Sequence, residues 1–141
     1  MASKPFLYLA GPLFNQHERD YLDTLARAFE GLGYGTFLPH RDAGVITEWS
    51  EATRTRVFTT DVAALDRCGA CVALLTGPDH DAGTCVELGY LYARGTPCFG
   101  LTDDIRSAGL NNMVWCVCDN GRRVARTIND VVAMVERHFG G

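Results

Sequence analysis

Lysine is almost missing from this sequence: Lys4 is the only one in 141 residues, and 13 basic side chains face 17 acidic ones for a net charge of −4. With no basic surplus there is no electrostatic footprint for a nucleic-acid polymer or an anionic membrane surface, and neither is expected as a partner. Long apolar runs are missing too. The first one, Phe6-Leu7-Tyr8-Leu9-Ala10, is cut off by Gly11-Pro12, too soon for a signal-peptide core or a membrane span. The expectation is a cytoplasmic protein. No internal repeat, linker or low-complexity tract interrupts the chain, and 47% hydrophobic content suits one core, so residues 1–141 read as a single domain. Metal-ligand spacing is also lacking: His17, His40, His80 and His138 stand far apart, and no metal or organic cofactor is expected.

Six cysteines are present, but Cys71, Cys85, Cys98 and Cys116 lie in or beside apolar stretches, where a free thiol behaves as a small buried hydrophobe. They read as reduced core residues. The pair Cys68-Gly69-Ala70-Cys71 has the spacing of a redox or half-zinc motif. It precedes a strand rather than opening a helix, and no second ligand pair follows, so a structural role is expected.

Strand-like and helix-like segments alternate from end to end, which argues for a parallel α/β sheet. Strands are expected at 6–10, 34–38, 70–75, 97–101 and 114–118, mostly continuous apolar runs of the kind buried on both faces. Helices are expected at 18–32, 51–66, 84–94 and 128–138. In the first, Tyr21, Leu22, Leu25, Ala28, Phe29 and Leu32 share a stripe, with Gly33 as the C-terminal cap. The pattern predicts a flavodoxin-like, doubly wound, five-stranded parallel sheet of order 2-1-3-4-5, flanked by helices. Ligands of such sheets bind beyond the carboxyl ends of the strands where the strand order reverses. The loops concerned are Gly11-Pro12-Leu13-Phe14-Asn15 and the segment from Gly77-Pro78 to Gly83-Thr84.

Non-catalytic relatives of that architecture fit poorly. A response-regulator receiver needs a lysine after its last strand, and a flavin carrier wants a hydroxyl-rich phosphate loop after the first. Lys4 is the only lysine, and the first loop has neither Ser nor Thr.

The densest polar cluster is Asp79-His80-Asp81-Ala82-Gly83-Thr84-Cys85-Val86-Glu87. By spacing alone, Thr84 and Glu87 form a capping box, with Thr84 opening the helix. A functional reading competes with it. Glu87 in the first turn would sit where the helix dipole favours an ionised carboxylate. Asp81 from the same loop would give the crevice a second carboxylate, the arrangement used to cleave glycosidic bonds. Gly83 would let backbone approach a ligand closely.

Taken together, Tyr8-Leu9-Ala10-Gly11-Pro12 with Phe14, Asp61, Asp81-x-Gly83-Thr84-x-x-Glu87-x-Gly89, and Asn111-Asn112-Met113 resemble the nucleoside 2-deoxyribosyltransferase family over most of the chain. The resemblance implies catalytic roles for four residues. Glu87 would be the nucleophile on the anomeric carbon of a deoxynucleoside, with a covalent deoxyribosyl-enzyme and retention after two displacements. Asp81, helped by Asp61, would serve the leaving base and its proton, and Tyr8 would orient the nucleophile. Gly11, Phe14, Gly83, Asn111 and Met113 would bind substrate. Asn111 would reach the sugar 5′-hydroxyl of a neighbouring subunit, which implies a homo-oligomer acting on a deoxynucleoside and a free nucleobase.

Each residue also has a plain reading. Tyr8 fits a core strand, Asp61 a solvated helix face with Asp66 as competitor for its role, and Asn111-Asn112 a turn. His40 and His80 are further candidates for touching the base, and Trp49, Phe14 and Tyr90 for stacking on it.

Relatives of that family resemble it but hydrolyse nucleoside 5′-monophosphates with the same glutamate. They carry phosphate-binding serines where this chain has Asp81 and Asn111. A carboxylate at position 81 would repel a phosphate, so transfer of deoxyribose between bases is the leading expectation and hydrolysis the alternative.

Overall fold

The computed structural model describes residues 3–77, 79–105 and 109–140; Pro78 of the second loop lies outside them. Five strands form one sheet of order β2-β1-β3-β4-β5, every neighbouring pair parallel. The strands are β1 (Leu7–Ala10), β2 (Thr36–Phe37), β3 (Ala70–Leu74), β4 (Cys98–Leu101) and β5 (Val124–Ala125). Between and after them run α1 (Gln16–Glu30), a π-turn (Pro39–Ala43), α2 (Glu51–Arg67), α3 (Ala82–Ala93), α4 (Asn112–Val117) and α5 (Ile128–Gly140).

The strand pleat explains the two cores. Leu7, Leu9, Ala70, Val72 and Leu74 face the side where α1 and α5 pack with Leu22, Leu25, Phe29, Val131 and Val135. Tyr8, Ala10, Cys71, Ala73 and Leu75 face the other side, under Ala64 and Leu65 of α2 and Leu88 and Leu91 of α3. Both faces of the central strands are dry, which is why they read as unbroken apolar runs.

Gly11 ends β1 where its neighbour leaves no room: a Cβ there would stand 2.8 Å from the Cβ of Leu74. Among the described residues, no helix is long and apolar enough to cross a membrane.

Three local expectations need correction. Residues 114–118 are not the fifth strand. Asn111 caps α4 there, its Oδ1 accepting from the backbone N–H groups of Met113 at 2.9 Å and Val114 at 3.4 Å. The β-branched and aromatic run wraps into a helix that buries only Val114, and the strand follows at Val124–Ala125. Second, α1 closes at Gly31 rather than Gly33, which leaves Leu32 42% exposed. Gly33 instead takes the left-handed turn that follows, at φ +92°.

Third, Cys116 is exposed because α4 turns it to solvent, and Cys85 is only half-buried, whereas Cys71 and Cys98 are buried as expected. All six cysteines are free.

The edge of the sheet is closed locally. With Gly35 carbonyl oxygen accepting from Leu7, the next carbonyl and N–H of β2 point away from β1. The π-turn covers them: Arg41 Nη2 donates to Thr36 O at 3.0 Å, and Leu38 N donates to Asp42 Oδ2 at 2.9 Å. Leu38 O in turn accepts from the backbone N–H groups of Arg41 and Asp42.

Candidate active site

The strand order reverses between β1 and β3, and side chains from β1, α2 and α3 converge beside that point. Tyr8 of β1 is fully buried, and its hydroxyl donates to Glu87 Oε2 of α3. Burial and the carboxylates of Glu87 and Asp61 push the Tyr8 phenol upward, so it stays a donor at any working pH.

Glu87 does not behave as a first-turn carboxylate. Asp81, not Thr84, is the N-cap of α3: its Oδ2 accepts from the Thr84 backbone N–H at 2.9 Å and from the Thr84 hydroxyl at 2.8 Å. The helix therefore begins earlier than the Thr84–Glu87 spacing suggests, and Glu87 falls in its second turn, where the dipole has largely faded. Burial, then the charges of Asp61 and Asp81, raise its carboxyl to about 8, with the Tyr8 hydrogen bond pulling the other way.

Asp61 of α2 joins the same group. Burial raises it to about 6, and its Oδ1 is shielded from solvent without a hydrogen-bond partner among the described residues. Its competitor Asp66 turns elsewhere, accepting from the Tyr90 hydroxyl and pairing with Arg94 at 3.5 Å. Glu87 thus lies within electrostatic reach of Tyr8, Asp61 and Asp81, and of these four Asp81 also lines the cavity at the switch point.

A cavity of about 350 Å³ opens at the switch point. Pro12, Phe14 and Glu18 form one side, and Thr76, Asp79 and Asp81 the other. Phe14, 71% exposed, stands at its rim. Every charged side chain lining it is acidic. Glu18 and Asp79 were not among the sequence candidates. Glu18 had a signal: it stands three residues after the cap Asn15, whose Oδ1 accepts from its N–H at 2.9 Å, and its own carboxylate accepts from Phe14 N at 3.0 Å.

Gly83 lies exposed in the first turn of α3, where a Cβ would come 3.4 Å from Asp81 Oδ2. Asn111 and Met113 are exposed at the start of α4, and neither hydrogen-bonds the Tyr8–Glu87 pair. The two histidines have other occupations. His80 Nε2 accepts from Asn111 N at 3.4 Å, tying the loop that carries Asp81 to α4. His40 lies 2.9 Å from Asp23 of α1. Among the described residues, no three His, Cys, Asp or Glu side chains are grouped as metal ligands.

The sheet order and its flanking helices define a doubly wound parallel α/β protein with carboxylates gathered beside its switch point. Within that class, the chain belongs to the nucleoside 2-deoxyribosyltransferase family, whose profile matches residues 7–130. An uncharacterised protein of Schizosaccharomyces pombe is 32% identical over 109 residues, 72% of this chain and 52% of that protein, so the chain spans about half the length of this relative.

Solved structures share the fold. A conserved protein from Enterococcus faecalis V583 superposes with a TM-score of 0.78 at 24% identity, covering 96% of this chain and 99% of the other. A 2-deoxyribosyltransferase from Bacillus psychrosaccharolyticus gives 0.71 at 24% identity, covering 89% and 88%. One from Leishmania mexicana gives 0.70 at 19% identity, covering 96% and 99%.

Proposed function

We propose that this protein transfers 2-deoxyribose between nucleobases through a covalent deoxyribosyl-Glu87. The observation that carries the reading is the buried Tyr8–Glu87 pair with Asp61 and Asp81 acting on it. The ionised Glu87 carboxylate forms a bond to C1′ as the bond to the base breaks, and the departing base takes a proton from the Asp81–Asp61 side. The second base then attacks C1′ as its proton passes to the Asp81–Asp61 side and the ester bond to Glu87 breaks. Two displacements retain the anomeric configuration. Tyr8 holds the carboxylate in line by donating its hydroxyl hydrogen.

An acid-lined crevice favours an uncharged nucleoside over a nucleotide, because Glu18, Asp79 and Asp81 would all repel a phosphate. To test the acceptor, a purine deoxynucleoside is incubated with and without a second free base. Exchange that needs the second base is expected. Release of base and deoxyribose at the same rate in both mixtures would replace the transferase reading with hydrolysis.

The site is further proposed to be completed by a neighbouring subunit. Asn111 keeps its side-chain NH₂ for a partner while its oxygen caps α4, and Met113 beside it is 72% exposed. Val86 of α3, 70% exposed one residue before the nucleophile, and Phe58 of α2, 67% exposed, extend an apolar surface suited to a second copy of the chain. Light scattering of the purified protein is expected to give at least twice the 15.4 kDa chain mass. A monomer with full activity would sink this part of the reading.

A further inference from the structure

On the far side of Phe37 from the reacting pair lies a cavity of about 590 Å³, larger than the crevice at the switch point. It is walled by the aromatic rings of Phe6 and Phe37 on the sheet side and by Thr59, Thr60, Ala63 and Arg67 of α2. Positions 60, 63 and 67 are one stripe of that helix. The Arg67 guanidinium lies 4.7 Å from the Phe6 ring centroid and 6.0 Å from that of Phe37. Beyond these ring contacts it has no hydrogen bond or ion pair among the described residues, so its planar fork of donors is left open.

Asp42, the acidic group at the cavity, is already engaged. Its Oδ2 accepts from Arg41 at 2.9 Å and from Leu38 N at 2.9 Å. Arg41 is shared with Glu30 at 3.0 Å, and of the charged side chains lining the cavity Arg67 has no ion-pair partner among the described residues.

We propose that this cavity is a second small-molecule site, which takes a nucleoside monophosphate with its base against the half-buried Phe6 and its phosphate on Arg67; Phe37, 4% exposed, forms the floor. Arginine binds phosphate in two-pronged fashion, and aromatic faces accept a flat heterocycle. The volume lies within the range of about 300–1,000 Å³ usual for such ligands. Of the lining threonines, Thr60 and Thr36 donate their hydroxyls to Arg56 O and Glu30, which leaves that of Thr59 open among the described residues. The acid-lined crevice repels the same molecule, so the two sites divide nucleosides from nucleotides.

A ligand here would be separated from Tyr8 by the Phe37 ring. The Phe37 ring stacks on that of Tyr8, with centroids 5.3 Å apart and planes inclined by 22°. Asp61 follows Thr60 directly on α2.

The test is calorimetric titration with 2′-deoxyadenosine 5′-monophosphate, alongside 2′-deoxyadenosine and inorganic phosphate. Three proteins are compared: Glu87→Gln alone, so that no reaction intervenes, and the same protein carrying Arg67→Gln or Ala63→Phe. The monophosphate is expected to bind the first and to keep binding when 2′-deoxyadenosine is in excess. Arg67→Gln should weaken it about tenfold or more, the loss of a charge-assisted pair, and Ala63→Phe should abolish it by filling the cavity.

No binding at millimolar monophosphate would overturn the proposal. So would equal affinity in all three proteins, or displacement by 2′-deoxyadenosine. Inorganic phosphate binding as tightly as the nucleotide would remove the aromatic part. None of these readouts uses deoxyribosyl transfer, so the proposal and the transferase reading fail separately.

Discussion

Replacing Glu87 by Gln is expected to abolish deoxyribosyl transfer and, at neutral pH, to make the protein more stable. The loss follows from the chemistry: an amide does not form the glycosyl ester, and removing a nucleophile typically costs roughly 10⁴-fold or more in rate. The gain follows from the burial of the carboxyl. In the folded protein it titrates at about 8 against 4.5 ordinarily. Between those values the unfolded chain has released a proton that the folded chain still holds. Glu87 therefore favours folding fully below pH 4.5, and that contribution is lost as the pH rises towards 8.

By pH 7 the loss amounts to roughly 3 kcal/mol. A glutamine carries no such penalty and still accepts from the Tyr8 hydroxyl. The melting-temperature gain of Glu87→Gln over the natural protein should be small at pH 5 and grow towards pH 8. Thermal melts across that range, paired with assays, check both halves. A variant that is inactive but gains nothing with pH would mean that the carboxyl is already ionised in the fold. In the active protein the reacting combination is an ionised Glu87 with the acid side still protonated, so with Glu87 at about 8 and Asp61 at about 6 kcat/KM is expected to be highest between those values and to fall above about 8.

Asp81 separates two roles that one side chain performs. Asp81→Asn keeps a strong helix cap, since asparagine still accepts from Thr84 N, but it removes the charge. Asp81→Ala removes both. If Asp81 serves the proton of the leaving base, each variant should lose about 10²–10³-fold in kcat/KM, whereas only the alanine form should lose about 1 kcal/mol of stability. An asparagine variant with near-normal turnover would reduce Asp81 to a cap. The asparagine form carries a second signature. The Asp81 charge holds the Glu87 carboxyl up, so its removal should move the falling limb of the pH profile to lower pH.

These expectations depend on features legible to different degrees in the sequence. Strands β1, β3 and β4 and the long helices α1, α2 and α5 announce themselves, because continuous apolar runs and a 3.6-residue stripe are produced by burial on two faces and on one. Strand β5 does not, since two residues carry no period. The run from Met113 to Val117 has the composition of a strand. Its helicity is decided by the single side chain of Asn111, which supplies the cap.

The same kind of competition hid the start of α3. Asp81 and Thr84 are both good caps, and only the fold brings the aspartate to the Thr84 N–H while leaving the threonine buried as its donor. The raised Glu87 carboxyl was also out of reach of spacing rules. It is set by the loss of water around the carboxyl and then by the charge of Asp61, far from it in sequence, against the opposing pull of the Tyr8 hydroxyl. The Phe37 cavity has no local signature because three separated elements build it.

The sheet edge at β2 has a consequence for how copies of this chain can meet. Its outward carbonyl at Thr36 and N–H at Leu38 are already taken by Arg41 and Asp42, so the ladder offers almost nothing for a stranger's backbone to pair with. Edges left open are the templates on which fibrils and swapped strands grow. This one is sealed from within its own loop. At this edge, any meeting of two copies is left to side chains rather than to backbone pairing. At high concentration the chain should remain in solution rather than seed ordered aggregates from that edge.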